Sequence, residues 1–236
     1  MKTKIRIWIC PFIVSVLVLI LNNNCKKDLN NTIIIIDDDT DTNYYTASVT
    51  IGTQVWMTQN LKAMRYQYVY RIRTTTPATL DITTEVAPKY QWVYEGDESN
   101  VDIYGRLYTW YAVTDSRKIC PTGWHVPSDA EWTILTSLEA MGGKDYGGGK
   151  LKETGTTYWG TPNTGATNET GFTALPGGYR FYSGRFRDNG SSGFWWSSSE
   201  SSDSTAYGWG MFSYSSQISR FSFNKRDGLS VRCLQD

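Results

Sequence analysis

The pattern of apolar and polar positions divides the chain into three stretches. An apolar run, Ile7 to Leu21, follows three basic residues at the start. Residues 25–47 are polar and aperiodic apart from the run Ile33–Ile36, and alternating or helical patterns begin at Val49. Because periodic hydrophobicity marks packed elements, the pattern predicts one folded domain over 48–236 behind two appendages.

The first appendage, residues 1–24, has the composition of a secretory signal, a charged start followed by a short apolar run. The stretch MKTKIRIWICPFIVSVLVLILNNNCKKD resembles a bacterial lipoprotein signal, in which Cys25 is acylated and becomes the mature N-terminus. Small residues usually precede that cysteine, whereas Asn22–Asn24 stand here. An uncleaved N-terminal anchor is therefore the alternative, and both place the domain outside the cytoplasm, anchored to the bacterial outer membrane or cell surface. We expect residues 25–47 to form a tether.

Helix signals are concentrated in the middle of the chain. Ser128 and Glu131 have the S-x-x-E spacing of a capping box. Apolar residues follow at three-residue intervals, at Trp132, Leu135, Leu138 and Met141. Gly142 then ends the pattern, which predicts a helix over 129–141. A second, short amphipathic helix is predicted over 104–113, YGRLYTWYAV.

Strand signals occupy both ends of the domain. VTIGTQVWM predicts a hairpin with a turn at Gly52-Thr53, and YQWVY at 90–94 predicts a short strand. Six alternating segments follow near the end of the chain: GGYRFYSG, GRFRDNG, FWWSSS, AYGWGMFSY, QISRFSFN and LSVRCLQ. Asp227-Gly228 is expected to form a hairpin turn between the last two. The fold class is therefore α+β, with about two helices, many loops and a twisted antiparallel sheet built largely from the end of the chain.

Charge and composition limit the partners. Residues 1–24 hold three of the 23 basic residues and none of the 23 acidic ones, so the remainder has a net charge of −3. Nucleic acid is therefore not expected as a partner. Aromatic residues make up 14% of the chain and charged residues only 19%. Recognition by stacking and neutral hydrogen bonds is favoured.

The stretch CPTGWHVPSDAEW, 120–132, contains reactive residue types but predicts no active site. Ser128 and Glu131 have a capping role, and Asp129 lies where a helix dipole favours negative charge. His125, the chain's one histidine, is expected to be structural and bonded to backbone, with ligand contact as the alternative. No catalytic residue, metal ligand or cofactor is predicted: GGKDYGGGK lacks the phosphate-loop pattern and Asp37–Asp41 lacks an EF-hand's other ligands.

The cysteines divide by position. Cys10 lies in the signal and Cys25 is the acylation candidate, which leaves Cys120 and Cys233 in the domain. In an oxidising compartment one disulfide between them is expected. The alternative is a free Cys120 nucleophile with His125 as its base.

Several motifs together carry a resemblance to a known family. In order they are IGTQVWMTQNLK, YGRLYTWYAV, CPTGWHVPSDAEW, GFTALPGGYR, FWWSSS and DGLSVRCLQD. Over 48–236 they resemble the Fibrobacter succinogenes major paralogous domain (FISUMP). The resemblance implies a secreted or surface lipoprotein and no particular reaction.

WHVPSDAEW is similar, in turn, to the R-L-P-T-E-A-E-W motif of the sulfatase-modifying fold, a relative of C-type lectin-like domains. This second resemblance implies a compact lectin-like domain with little regular structure and joined ends. The oxidase members of that fold hold copper with two late cysteines, whereas Cys233 stands alone in the last hundred residues here. The calcium motifs of lectins, E-P-N or Q-P-D before W-N-D, do not occur.

A ligand site is expected among the late hairpins, where aromatic faces adjoin polar groups. The candidate residues are Tyr179, Arg180, Phe186, Asp188, Asn189, Trp195, Trp196, Tyr207 and Trp209. One of Trp195 and Trp196 should face the core, since side chains alternate along a strand. The sequence favours a non-enzymatic surface module that binds glycan or polysaccharide in adhesion. The alternatives are a structural or assembly role through an envelope protein, and then an enzyme of unknown type.

Overall fold

The computed structural model describes residues 25–27, 33–35, 47–67, 70–138 and 141–236. The chain forms two compact units, Met1–Tyr44 and Tyr45–Asp236. In the first unit, strands β1 (Cys25–Lys27) and β2 (Ile33–Ile35) pair antiparallel, with Cys25 opposite Ile35. Residues Ile33–Ile35 of the isoleucine run thus form a strand that pairs inside its own unit. The predicted signal lies outside the described residues, and no helix within them is long and apolar enough to cross a membrane.

The second unit is mostly sheet. Its described helices are α1 (Val101–Tyr104), α2 (Trp110–Val113), α3 (Asp129–Ser137) and α4 (Lys144–Leu151), with 3-10 turns at Tyr94–Gly96 and Glu98–Asn100. Its described strands are β3 (Ser48–Ile51), β4 (Gln54–Met57), β5 (Gln91–Trp92), β6 (Leu107–Thr109), β7 (Trp124–His125), β8 (Gly177–Arg180), β9 (Phe186–Asn189), β10 (Ser192–Glu200), β11 (Thr205–Phe212), β12 (Ile218–Asn224), β13 (Gly228–Leu229) and β14 (Leu234–Gln235). The α+β class is confirmed, with four short helices in the described unit instead of about two.

The smaller sheet joins the two ends of the domain. Its strand order is β3-β4-β14-β7, all antiparallel. The predicted hairpin of β3 and β4 is confirmed, and its turn begins at Gly52, whose φ of +61° favours glycine. The last strand, β14, lies between this hairpin and the segment that leads into α3.

The larger sheet has the order β12-β11-β10-β8-β13-β6-β5, with β9 also paired to β8. Gly178 of β8 and Gly193 of β10 pair in parallel, so the sheet is mixed and not wholly antiparallel as expected. The reason is the chain's path. Because β9 folds back along one side of β8, β10 runs in the direction of β8 when it reaches the other side.

The predicted hairpin at Asp227-Gly228 is wrong. Strand β12 pairs with β11, whereas β13 pairs with β6 and β8. Asp227 is buried, and its carboxylate accepts the backbone N–H groups of Tyr182 at 2.9 Å and Asn224 at 3.1 Å. It therefore directs the chain from one strand to a distant one.

Helix boundaries differ from the sequence patterns in two places. Helix α3 ends at Ser137, four residues early, because Leu138 has an extended ψ of 133°; Met141 is nevertheless buried. The helix predicted over 104–113 is wrong for its central part. Leu107–Thr109 is strand β6, held between β5 and β13, and only Trp110–Val113 is helical after it.

The core between α3, the small sheet and β10–β11 is aromatic. Trp132 of α3 packs against Trp56 with ring centroids 4.8 Å apart, and against Trp209 at 6.2 Å. The glycines of α4 bring that helix close to its neighbours: a Cβ on Gly148 would meet the Gln217 carbonyl oxygen at 2.4 Å. This glycine run therefore permits close packing.

Candidate functional site

A disulfide holds the stretch 120–132, which contains several of the reactive residue types. Cys120 and Cys233 form a disulfide with their Cα atoms 6.0 Å apart, which confirms the expected pair. The bridge ties the segment before α3 to the chain's end. Because both sulfurs are bonded, the free-thiol alternative at Cys120 is excluded in this structure.

His125 lies between two carboxylates. Its Nδ1 is 2.7 Å from Asp236 Oδ1 and its Nε2 is 3.0 Å from Glu131 Oε1. The prediction that the side chain of His125 bonds to backbone is therefore wrong. Burial lowers the pKa of His125, but the hydrogen bonds with Asp236 and Glu131 outweigh it and leave that pKa raised. Glu131 also accepts the N–H of Ser128, whose Oγ accepts the N–H of Glu131, which confirms the capping box.

Three of the predicted ligand residues are completely buried: Arg180, Trp195 and Trp196. Trp195 enters the core on one face of β10, and Trp196 on the other donates its Nε1–H to the Tyr108 carbonyl at 2.7 Å. Both faces of β10 are covered at this point, so both tryptophans are buried, whereas only one of them was expected to face the core. Arg180 stacks on Trp92 at 4.0 Å. Burial removes these three side chains from the candidate ligand surface.

Trp209 and Tyr207 lie on the core side of β11. Trp209 is only 6% exposed, and its Nε1–H donates to Asp129 Oδ1 at 3.1 Å. Tyr207 is partly buried under the guanidinium of Arg220, 4.5 Å from its ring centroid. Arg220 is in turn paired with Asp129 at 2.7 Å. Trp209 is thereby tied to the start of α3 and offers little surface to a ligand.

The remaining predicted residues lie on β8 and β9. Phe186 is partly buried and packs against the Tyr94 ring at 5.3 Å. Asp188 is exposed, and Asn189 donates to the Pro176 carbonyl at 3.2 Å. Tyr179 is partly buried and points toward a surface that the sequence analysis did not identify.

That surface is the outer side of β10, β11 and β12. We call it the aromatic face, and its residues are Tyr179, Phe194, Phe212, Tyr214, Phe221 and Phe223. Ring centroids connect them: Tyr179–Phe194 at 5.4 Å, Phe194–Phe223 at 5.3 Å, Phe212–Phe221 at 5.9 Å and Phe212–Tyr214 at 5.3 Å. The spacing is that of favourable aromatic pairs, so the rings form one continuous layer.

Two glycines make room for this layer. Gly208 and Gly210 in β11 lie on the same side as the rings, and a Cβ at either would come within 3.0 Å of a phenyl ring. The segments YGWGMF and RFSF carried the signal, since glycine and phenylalanine alternate there with the core residues. Because the other side of these strands is also apolar, the sequence did not reveal which aromatic residues reach the surface.

The aromatic face is exposed at its outer edge. Tyr214 is 67% exposed and Phe221 is 37% exposed, and Phe221 belongs to the edge strand β12. The hydroxyl of Ser219 shares this side, because it is two residues from Phe221. Because this connected layer of aromatic rings reaches the surface, the aromatic face is the candidate binding site.

A cleft of about 510 Å³ opens beside β9. It is lined by Thr79, Glu95, Ser183, Gly184, Arg185, Phe186 and Arg187. A smaller cleft of about 330 Å³ lies next to Glu131 and Asp236. No group of three or more histidine, cysteine, aspartate or glutamate residues that could hold a metal ion was found in the part of the chain that the structure describes.

Comparisons with known proteins identify a family. A sequence model of the family described as the Fibrobacter succinogenes major domain matches residues 49–235. A search of the curated proteins found no match. A search of the solved structures found none either.

Proposed function

We propose that this chain, which belongs to the Fibrobacter succinogenes major domain family, is a non-enzymatic surface module that binds polysaccharide through its aromatic face. The observation that carries the proposal is the connected layer of rings whose outer edge, at Tyr214 and Phe221, is exposed. Aromatic faces stack on the apolar faces of sugar rings, and the Ser219 hydroxyl offers a hydrogen bond beside them.

The non-enzymatic part of the proposal rests on the state of the one histidine. Both ring nitrogens of His125 face carboxylates, which leaves neither free to take a proton from a substrate. The disulfide is consistent with an exported protein, since such bonds persist in oxidising compartments. We propose that export is followed by lipid anchoring at Cys25, so that the domain stands on the cell surface.

We further propose a lectin-like or sulfatase-modifying-like scaffold. Two features support it: the helices are short, and strand β14 joins the end of the domain to its first hairpin. In such a scaffold, binding residues lie on loops and sheet edges, as Tyr214 and Phe221 do here.

The experiment measures retention of the full-length protein on polysaccharides. Wild type is compared with the double variant Tyr214→Ala, Phe221→Ser on a panel of neutral and acidic polymers. Affinity is expected to fall at least about tenfold, because covering an aromatic side chain contributes roughly 1.5–3 kcal/mol. Tyr146→Ala is the matched control, since Tyr146 is 65% exposed on α4, outside the aromatic face. Equal binding by all three proteins would contradict the proposal.

The second candidate function is assembly with an envelope protein. It is favoured by the position of Phe221 on an edge strand, because exposed edges pair readily with other chains. If no polysaccharide is retained and a photo-crosslinker at position 221 captures one specific envelope protein, assembly replaces polysaccharide binding as the function.

A further inference from the structure

We infer that the bound polysaccharide is acidic, and that Arg185 and Arg187 hold its anionic groups. This inference rests on the proposed function, because the two arginines lie beside the aromatic face. Among the residues that the structure describes, they are the two arginines that line the cleft next to β9. The sequence analysis did not select either of them.

The strand register places Arg187 next to the aromatic face. Arg187 of β9 is directly opposite Tyr179 of β8. Residues directly opposite each other in an antiparallel pair leave the sheet on the same side. Arg185 lies two residues before Arg187 and its carbonyl accepts the N–H of Phe181, so it continues the same row. A chain lying across Tyr179 therefore reaches both guanidinium groups.

The charges in the cleft favour an anion. Arg185 and Arg187 are exposed, and neither forms an ion pair with a described residue. Glu95 is the one acidic residue in the lining, so positive charge is in excess by one. An unpaired carboxylate beside two arginines accepts hydrogen bonds from sugar hydroxyls, while the planar guanidinium groups match carboxylate or sulfate.

The dimensions of the cleft also fit this ligand. A volume of about 510 Å³ lies within the roughly 300–1,000 Å³ of typical ligand sites. Ser183 and Thr79 add hydroxyl groups to the cleft. Hydroxyl groups beside two guanidinium groups suit a sugar unit that carries a charged substituent.

The domain as a whole has no excess of positive charge. Residues 48–236 hold 18 basic and 18 acidic residues, so their overall field does not attract an acidic polymer. Tight binding of such a polymer must therefore come from a local group of arginines. This makes the inference testable by exchanging only two side chains.

The experiment compares polymers that share a backbone and differ in charge. Affinities of the full-length protein are measured for polygalacturonate and its methyl ester, and for dextran sulfate and dextran, so that carboxylate and sulfate are tested separately. Wild type is expected to bind at least one acidic polymer about tenfold or more tightly than its neutral form, with affinity that falls as salt rises. Arg185→Gln, Arg187→Gln is expected to lose that preference and keep the neutral affinity.

Lys118→Gln, Lys144→Gln is the matched control, because it removes two exposed charges outside the cleft. Equal loss in this control, or no loss in the arginine variant, would overturn the inference. Either result leaves the proposed function standing if Tyr214→Ala, Phe221→Ser still loses binding to neutral polymers. Conversely, if Tyr214→Ala, Phe221→Ser binds every polymer as tightly as wild type, the proposed role of the aromatic face is refuted, whatever the arginine variant shows.

Discussion

The Nε1–H of Trp195 donates to Oδ1 of Asn60 at 2.8 Å, across 135 residues of sequence. The same oxygen accepts a guanidinium N–H of Arg232 at 2.8 Å, and Nδ2 of Asn60 donates to the Tyr104 carbonyl at 2.9 Å. Arg232 is buried, and its guanidinium lies 4.2 Å from the centroid of the Phe172 ring. Residues from several of the recognised motifs thus meet in one buried polar network, so these motif residues specify architecture.

Asn60→Leu is expected to destabilise the domain by about 3–5 kcal/mol. The change leaves the guanidinium of Arg232 without its side-chain partner, and breaking a buried charged hydrogen bond on one side costs this much. Denaturant unfolding measures the difference. Gln59→Ala is the control: Gln59 is exposed, and its substitution should stay within about 0.5 kcal/mol. An Asn60→Leu protein as stable as wild type would show that the network does not support the fold.

The disulfide gives a second prediction. Cys120→Ala, Cys233→Ala is expected to lower the free energy of unfolding by about 2–5 kcal/mol, because the bridge closes a loop of 113 residues. Denaturant melts with and without reductant test it. Reductant should destabilise the wild type and leave the double variant unchanged, and equal curves for the wild type in both conditions would contradict the prediction.

Local signals in the sequence predicted local structure correctly. The capping box needs only Ser128 and Glu131, three residues apart, and it forms as expected. Strand β6 shows the opposite case. Leu107, Trp110 and Tyr111 have helical spacing, but pairing with β5 and β13 on both sides decides the conformation of Leu107–Thr109. Tertiary contacts override a short apolar pattern, and the chain's own order does not show them.

The candidate site was predicted only in part for a related reason. Tyr179, which the sequence analysis selected as a ligand residue, lies in the aromatic face, whereas Phe194, Phe212 and Phe221 were not selected. Core residues such as Trp195 and Trp209 alternate with the missed rings, and both sets are aromatic. Hydrophobicity alone cannot separate two apolar faces of one strand. Which face stays exposed depends on where α3 packs, and local sequence patterns do not show that position.

The pH dependence of stability should contain a contribution from His125. Its pKa is raised in the folded state, so the stabilisation is fully present below about pH 6.5 and is lost as pH rises through the folded pKa. The effect is expected to stay below about 1 kcal/mol, because the side chain is 37% exposed. The measurement is the difference in unfolding free energy between wild type and His125→Gln from about pH 6 to about pH 9, a range that spans the titration of the histidine.

The direction of that difference is the test. It should favour the wild type most at the acidic end and diminish toward the alkaline end. Asp236→Asn removes one of the two carboxylate partners and should retain a smaller part of the effect. A difference that grows with pH would mean that the histidine is held neutral, in conflict with the two carboxylates around it.

Lys152 links the core to the aromatic face. Its side chain is fully buried, and its Nζ donates to the carbonyl oxygens of Thr164, Phe212 and Ser215, each at 2.9 Å. These three bonds use all the donors of an ammonium group. Burial lowers the pKa of Lys152 to about 8, so the group is still charged at neutral pH. Phe212 and Ser215 lie on either side of Tyr214, whose position therefore depends on this cation.

Lys152→Met is expected to destabilise the domain by about 2–4 kcal/mol, because three carbonyl groups lose their donor while the cost of burying a charge is relieved. It should also weaken polysaccharide binding, since the segment that carries Tyr214 is no longer held. Denaturant unfolding and polymer titration measure the two effects. Lys144→Met, at the exposed start of α4, the helix that ends just before Lys152, is the control and should change neither. If Lys152→Met lowers stability but leaves binding unchanged under folded conditions, Tyr214 is positioned by its stacking on Phe212 alone.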